Sequence, residues 1–172
     1  METIYYGTKY AVTQGLCRTE IAKLVRADIK AAVASGEIPR GKYSVRTSNY
    51  SGGGSIDVRI SHLEGVTVTN KYRVVWDLEN PHAGHFNCPE ESRWLYSEEA
   101  REVLEKVDAI LQAYNFDGSD LMTDYFNVRY YGHAEFDSSG FRAERDAMVA
   151  EYEAAKAAPK MSAQEDWLAW AC

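Results

Sequence analysis

The feature that most restricts the fold is a glycine-centred segment between residues 42 and 60. On each side of its Ser-Gly-Gly-Gly-Ser sequence, apolar and polar residues alternate with the period of two that a half-buried strand requires. Glycine reaches positive φ at little cost, so the chain can reverse between Ser51 and Ser55. We therefore predict a β-hairpin with a polar face of Arg, Asp and Ser and an apolar face formed by Tyr43, Val45, Ile56, Val58 and Ile60.

Three segments have the spacing of amphipathic or alanine-rich helices. The first is predicted to start at an N-cap at Thr19, with Glu20 in its first turn, and to end at Gly36. The second follows an N-cap at Ser97 and has the clearest apolar stripe in the chain, through residue 114. The third spans residues 141–156 and is rich in alanine, a strong helix former.

The remaining segments are less regular. Residues 4–12 alternate weakly and predict one short strand, whereas residues 66–75 fit a strand or a helix, and both alternatives stay open. Residues 77–95 contain two prolines and are predicted to form a long loop. Residues 125–136 predict a third strand, with Val128 and Tyr130 on its buried face and Arg129, Tyr131 and His133 on its exposed face.

These elements predict an α+β fold with two layers, in which a mostly antiparallel sheet is covered on one face by amphipathic helices. Residues 1–140 are expected to form this domain, and residues 141–172 a C-terminal helical extension packed on it. The extension ends in a short segment that begins with a capping box at Ser162 and contains Trp167 and Trp170. The two tryptophans either pack on the core or bind a partner or a second copy, which would make a homodimer.

Composition restricts the function classes further. The chain has 172 residues, of which 45% are hydrophobic and 26% charged, as expected of one globular domain. Its net charge of −7 argues against a surface built entirely for phosphates. No apolar run approaches the roughly 20 residues of a membrane span. The N-terminus lacks a secretory pattern, and three scattered cysteines suit a reducing compartment, so a cytoplasmic location is predicted.

The hairpin carries a resemblance to a known group of proteins. The run Tyr-Ser-Val-Arg, then Tyr-Ser-Gly-Gly-Gly-Ser-Ile-Asp-Val, resembles a signature of the large polyvalent protein-associated domain families. Residues 114–128 are similar to the closing strand of those families, and the resemblance covers roughly residues 19–136. It implies a setting in bacteriophages and other mobile elements, with action in the host bacterial cytoplasm. It implies no reaction and no site residues.

One loop carries candidate metal ligands and a candidate nucleophile. His82, His85 and Cys88 are spaced so that imidazole and thiolate groups could converge on zinc. The alternative is a Pro/Gly loop with exposed histidines and a small buried thiol. Cys88 with either histidine could also form a thiolate–imidazolium pair, but no third orienting residue stands out.

A second cluster, in residues 117–124, contains three aspartates and a serine that could bind calcium or magnesium: Asp117, Ser119, Asp120 and Asp124. The spacing does not match the calcium-binding loop of EF-hands. A solvated turn whose aspartates bond the local backbone is the favoured interpretation.

The exposed face of the predicted sheet is the candidate binding surface. It combines cationic, aromatic and imidazole side chains that could contact phosphates and stacked bases, or a protein partner: Arg46, Arg59, Arg129, Tyr131 and His133. The alternative is a solvated face on which Asp57 and Glu135 pair with the arginines. The acidic helices could instead imitate nucleic acid in order to occupy a host protein.

The family resemblance implies an accessory protein of a phage or mobile element, and the lack of a convincing catalytic set favours a non-enzymatic one that binds a host macromolecule, in counter-defence or host takeover. A host protein is the expected partner. A nucleic-acid-binding module is the alternative, and a metal-dependent enzyme built on the histidine loop, with zinc as the candidate metal, is a third. No cofactor is predicted apart from the zinc of that third alternative, and no membrane partner is expected.

Overall fold

The computed structural model describes residues 4–83, 87–119 and 126–157 of the chain. Helices and strands alternate irregularly, and a short 3₁₀ turn lies at Glu90–Ser92. In chain order the elements are β1 (Tyr5–Tyr6), α1 (Tyr10–Thr13), α2 (Arg18–Ser35), β2 (Gly41–Tyr50), β3 (Gly53–Leu63), α3 (Lys71–Glu79), α4 (Glu98–Gln112), β4 (Phe116–Asp117), β5 (Ala134–Phe136) and α5 (Arg142–Ala157).

The predicted hairpin is confirmed and forms the centre of the main sheet. Strands β2 and β3 pair antiparallel, with Val45 opposite Val58 and Arg46 opposite Asp57. Strand β5 joins the other edge of β3, so the strand order is β2-β3-β5. This second pairing is parallel, with Val58 opposite Ala134. A separate two-stranded sheet consists of β1 and β4.

The hairpin turn needs its glycines for two different reasons. Gly52 has a φ of 88°, a conformation that glycine adopts without strain. Gly54 is buried, and a Cβ there would lie 2.5 Å from the Arg18 guanidinium. Arg18 uses that space to reach Asn49, whose side-chain oxygen accepts a hydrogen bond of 2.7 Å from its Nη2.

One face of the three-stranded sheet is covered by α2 and α4, which also pack against each other. The alternating residues of the hairpin supply this face, as the sequence predicted, and the helices supply their apolar stripes. Buried members of the core include Ile21, Val25, Ile29, Val45, Ile56, Val58, Ile60, Val103, Val107, Leu111, Tyr130 and Phe136. The two-layer α+β architecture is therefore confirmed.

The helix ends follow the sequence closely, with one correction. Helix α2 starts after Cys17 rather than after Thr19, because the Glu20 carboxylate accepts a hydrogen bond of 2.8 Å from the Cys17 N–H. That hydrogen bond lowers the pKa of Glu20. Gly36 ends the helix with a φ of 76°, and Ser97 caps α4 as predicted.

The second half of the ambiguous segment at residues 66–75 is helical. Helix α3 begins at Lys71, and the Asn70 side chain caps it by accepting a hydrogen bond of 3.0 Å from the Tyr72 N–H. The helix continues to Glu79, so the irregular region is shorter than the predicted loop over 77–95. Thr69 forms an isolated antiparallel bridge with Tyr96, which brings the starts of α3 and α4 together.

Helix α5 packs along α3 rather than on the sheet. Its Tyr152 hydroxyl donates a hydrogen bond of 2.8 Å to Glu79, and Lys71 lies 3.3 Å from Glu151. The Glu144 carboxylate accepts hydrogen bonds from the Val68 and Thr69 N–H groups. No described residue of α5 is fully buried.

The third strand, predicted over residues 125–136, is much shorter in the described part of that range. Of residues 126–136, only Ala134–Phe136 form a strand, and Val128 and Tyr131 make isolated bridges to Asp117 and Ser55. Gly132 explains the break, because a Cβ there would overlap the Ile56 carbonyl. On either side of it, the Tyr131 and His133 carbonyls accept hydrogen bonds from the N–H groups of Ile56 and Val58. In the described ranges, no helix has the length and apolar character of a membrane span.

Candidate binding face

The face of the sheet opposite α2 and α4 is open. Alternation places the polar residues of the hairpin on it, and the cross-strand register aligns them into rows. None of its residues is buried: Ser44, Arg46, Ser48, Tyr50, Ser55, Asp57, Arg59, Tyr131, His133, Glu135 and Asp137. We call this set the open face. No described helix packs on it.

Charges on the open face are nearly balanced. Arg59 Nε donates a hydrogen bond of 2.7 Å to Glu135, and His133 Nε2 lies 3.6 Å from the same carboxylate. The Glu135 hydrogen bond raises the pKa of Arg59, which therefore stays charged. Arg59 is thus partly neutralised, as the solvated-face alternative anticipated.

Arg46, the other arginine of the open face, has no carboxylate partner among the described residues. Across the strand pair from Arg46, Asp57 accepts a hydrogen bond of 2.7 Å from the Ser55 hydroxyl. Within the described part of the chain, no carboxylate forms an ion pair with Arg46. Arg46 is therefore the cation on this face most available to a partner.

Two tyrosines stand at the hairpin end of the open face. The rings of Tyr50 and Tyr131 are 6.5 Å apart between centroids and inclined by 30°. Both rings touch the position above Gly53, so that glycine forms the floor between them. Tyr50 is 49% and Tyr131 42% exposed. Exposed tyrosines offer large rigid contact areas, which favours recognition of a partner.

Arg129 does not belong to this face, in contrast to the sequence prediction. Its guanidinium donates to the Thr13 hydroxyl at 2.9 Å, to the Tyr114 carbonyl at 2.8 Å, and to the Thr13 carbonyl. It also lies 5.2 Å from the Tyr10 ring centroid. The expected strand alternation fails here because the segment before Gly132 is not a strand. Arg129 instead ties the N-terminal segment to the end of α4.

The predicted zinc loop is only partly described. His82 is exposed and Cys88 is half-buried, whereas His85 lies outside the described residues. Among the described residues, no three His, Cys, Asp or Glu side chains form a group that could hold a metal ion. The zinc hypothesis and the Cys88–histidine pair therefore stay predictions.

Two further predicted sites also extend beyond the described residues. Asp117 accepts a hydrogen bond of 2.9 Å from the Ser119 N–H, which is the local turn contact predicted for this cluster. Asp120 and Asp124 lie outside the described residues, as do Trp167 and Trp170.

A cleft between the starts of α3 and α4 was not predicted. Its volume is about 610 Å³, and its walls include Tyr72, Trp94 and Arg101. The Arg101 guanidinium lies 5.0 Å from the Trp94 ring centroid, and Trp94 is 50% exposed. The cleft joins residues from two distant segments, so no local sequence pattern could reveal it. The available sequence signal for the cleft was Trp94, a tryptophan within the predicted loop over residues 77–95.

The comparisons with known proteins identify no relative. No protein-family model, no curated protein and no solved structure matches the chain. The resemblance to the polyvalent protein-associated families therefore stays a prediction, and the open face is interpreted from its own chemistry.

Proposed function

We propose that this chain is a non-enzymatic accessory protein of a phage or mobile element, and that its open face binds a protein of the bacterial host. The open face is the observation that carries the proposal. It is a continuous, solvent-facing sheet surface with two exposed tyrosines, an available arginine and a nearly balanced set of charges. The hairpin that forms it is also the segment that resembles the phage and mobile-element families.

Charge balance favours a protein over a nucleic acid as the partner. The open face carries two arginines against Asp57, Glu135 and Asp137. Hydrogen bonds from Ser139, reinforced by the charges of Arg59 and Arg46, lower the pKa of Asp137, so that this carboxylate is ionised at neutral pH. A phosphate backbone would meet these carboxylates, whereas a protein surface of mixed charge can pair with both signs.

Affinity capture from bacterial lysate tests the proposal. We expect the tagged protein to retain a stoichiometric protein partner after nuclease treatment. The double substitution Arg46→Glu with Tyr131→Ala should abolish retention, since it inverts the available charge and removes one ring. Arg145→Glu is the matched control, because Arg145 is exposed on α5 and should leave capture unchanged. Capture that is equal in all three proteins would refute the proposal.

Single-stranded nucleic acid is the second candidate partner, and the tyrosine pair is the observation that favours it. The two rings, 6.5 Å apart between centroids and inclined by 30°, present adjacent exposed aromatic surfaces on which bases could stack. Arg46 would contact a neighbouring phosphate. This alternative predicts salt-sensitive binding of fluorescein-labelled oligothymidylate, weakened by Tyr131→Ala. No binding at low salt would dismiss it.

A further inference from the structure

The outer edge of β2 is a surface distinct from the open face. On β3, the N–H groups of Ile56 and Val58 donate to Tyr131 and His133 at 2.8 and 3.1 Å, so the residues between them face β2. Antiparallel pairing then turns the backbone groups of Val45 and Thr47 away from β3. Strand β2 is therefore a ten-residue edge strand, and among the described residues no further strand pairs with its outer side.

The guanidinium of Arg26 covers one outward carbonyl of this edge. Arg26 Nη2, from α2, donates a hydrogen bond of 2.6 Å to the outward Val45 carbonyl. Within the described residues, the outward groups of Thr47 have no hydrogen-bond partner. An exposed strand edge of this kind can accept a further strand from another chain.

Two separate depressions lie between α2 and β2, and we call the strip that contains both of them the groove. At one end lies a depression of about 330 Å³, lined on its apolar side by Ile29, Val33 and Tyr43. At the other end lies a depression of about 390 Å³ that includes Thr47 and Asn49. Side chains of an added strand alternate between the two faces of the sheet, so those on the α2 side would enter these depressions.

The groove is basic on an acidic protein. Arg18 lines one depression, and Arg26 and Lys30 line the other. No described Asp or Glu lines either depression. A chain of net charge −7 therefore presents a local row of cations beside the β2 edge. Two copies paired through this edge would bring both rows of cations together, which disfavours a homodimer.

We propose that the β2 edge binds an extended acidic peptide of a partner protein as a fourth strand of the sheet. A peptide N–H replaces Arg26 at the Val45 carbonyl, and the released guanidinium binds a peptide carboxylate. An apolar peptide side chain occupies the depression at Ile29, Val33 and Tyr43. Arg26 thus covers the Val45 carbonyl when no peptide is bound, and it favours acidic peptides by binding their carboxylates. This proposal is independent of the function assigned to the open face.

The test uses a fluorescein-labelled peptide of sequence Ser-Asp-Thr-Val-Thr-Glu-Thr-Val-Ser, in which the acids and valines share the face of the added strand that meets α2, with fluorescence anisotropy as the readout. The control peptide has Asn and Gln in place of the acids. We expect the acidic peptide to bind the full chain at least about tenfold more tightly than the control peptide, with the difference reduced at high salt.

Backbone pairing is tested by Thr47→Pro. Proline removes an outward N–H and is tolerated on edge strands, so the fold should persist while affinity falls at least about tenfold. A peptide with N-methyl groups at alternate residues tests the same contact on the unaltered protein. Arg26→Gln should reduce the preference for the acidic peptide, whereas Arg145→Gln, at an exposed position of α5, should leave it unchanged.

Three results would overturn the proposal. The first is equal affinity for the acidic and the amide peptides, and the second is equal affinity of the N-methylated and the unmodified peptide. The third is a concentration-dependent dimer that Thr47→Pro abolishes, which would assign the edge to a second copy.

Discussion

Arg129 gives the sharpest test of the structure, because the sequence pattern and the fold place it differently. Replacing it with Met keeps an aliphatic stem of similar length but removes every donor. The carbonyls of the buried Thr13 and Tyr114 would then lose their charged partner. A hydrogen bond to a charged group contributes about 1.5–3 kcal/mol, and bonds that share one side chain are not additive.

We therefore expect Arg129→Met to lower the free energy of unfolding by about 3 kcal/mol. For a domain of this size that corresponds to a fall in Tm of roughly 6–12 °C. Calorimetry or chemical denaturation followed by circular dichroism measures it. Lysine at this position should recover only part of the loss, because one ammonium cannot reproduce the fork of the guanidinium.

Arg46→Met is the matched control, since the sequence pattern assigned both arginines to the same exposed face. Arg46 is exposed on the open face, so its loss should change the free energy of unfolding by less than about 0.5 kcal/mol. Equal stabilities of Arg129→Met and Arg46→Met would refute the assignment of Arg129 to the half-buried contacts with Thr13 and Tyr114.

Three further predictions follow from single contacts. Gly132→Ala should destabilise the fold by about 2–5 kcal/mol, because the new Cβ would overlap the Ile56 carbonyl and the backbone there has a φ of 155°. Since 1 kcal/mol lowers the Tm of a domain of this size by at least about 2 °C, a Tm within about 2 °C of the wild type would contradict this prediction. The Cys17 hydrogen bond lowers the pKa of Glu20 below its ordinary 4.5. The Glu20 carboxylate therefore stabilises the folded state above pH 4.5, and this contribution is lost as the pH falls through the lowered pKa. Glu20→Gln should be less stable than the wild type at pH 7, and the free energies of unfolding of the two proteins should converge in acid; a constant difference at all pH values would contradict this. If the loop at His82, His85 and Cys88 binds zinc, elemental analysis should find about one equivalent, and Cys88→Ser should reduce it; a metal-free protein of full stability would exclude the zinc site.

The sequence predicts this fold where the signal is local. The hairpin follows from period-two alternation around glycines, and α2 and α4 follow from apolar stripes with strong end signals. Helix α3 stayed ambiguous because four valines near it fit either element, and the Asn70 cap decides in favour of helix. Cys17 was missed as a cap since cysteine is not among the preferred N-cap residues.

The candidate site was predictable only as far as the hairpin extends. Arg46 and Arg59 lie where alternation places them, because β2 and β3 are continuous. Alternation could not place Arg129, since it assumed a strand that Gly132 interrupts. Neither the tyrosine pair nor the β2 groove is visible in sequence, because each joins residues from separate segments.

The most direct test of the open face is site-specific photo-crosslinking in bacterial cells. Benzoylphenylalanine is introduced in place of Tyr131 in one protein and in place of Arg145 in another. The account predicts a discrete protein cross-link from position 131 that survives nuclease treatment, and none from position 145. No cross-link at position 131, or the same cross-link at both positions, would contradict the assignment of the open face as the binding surface.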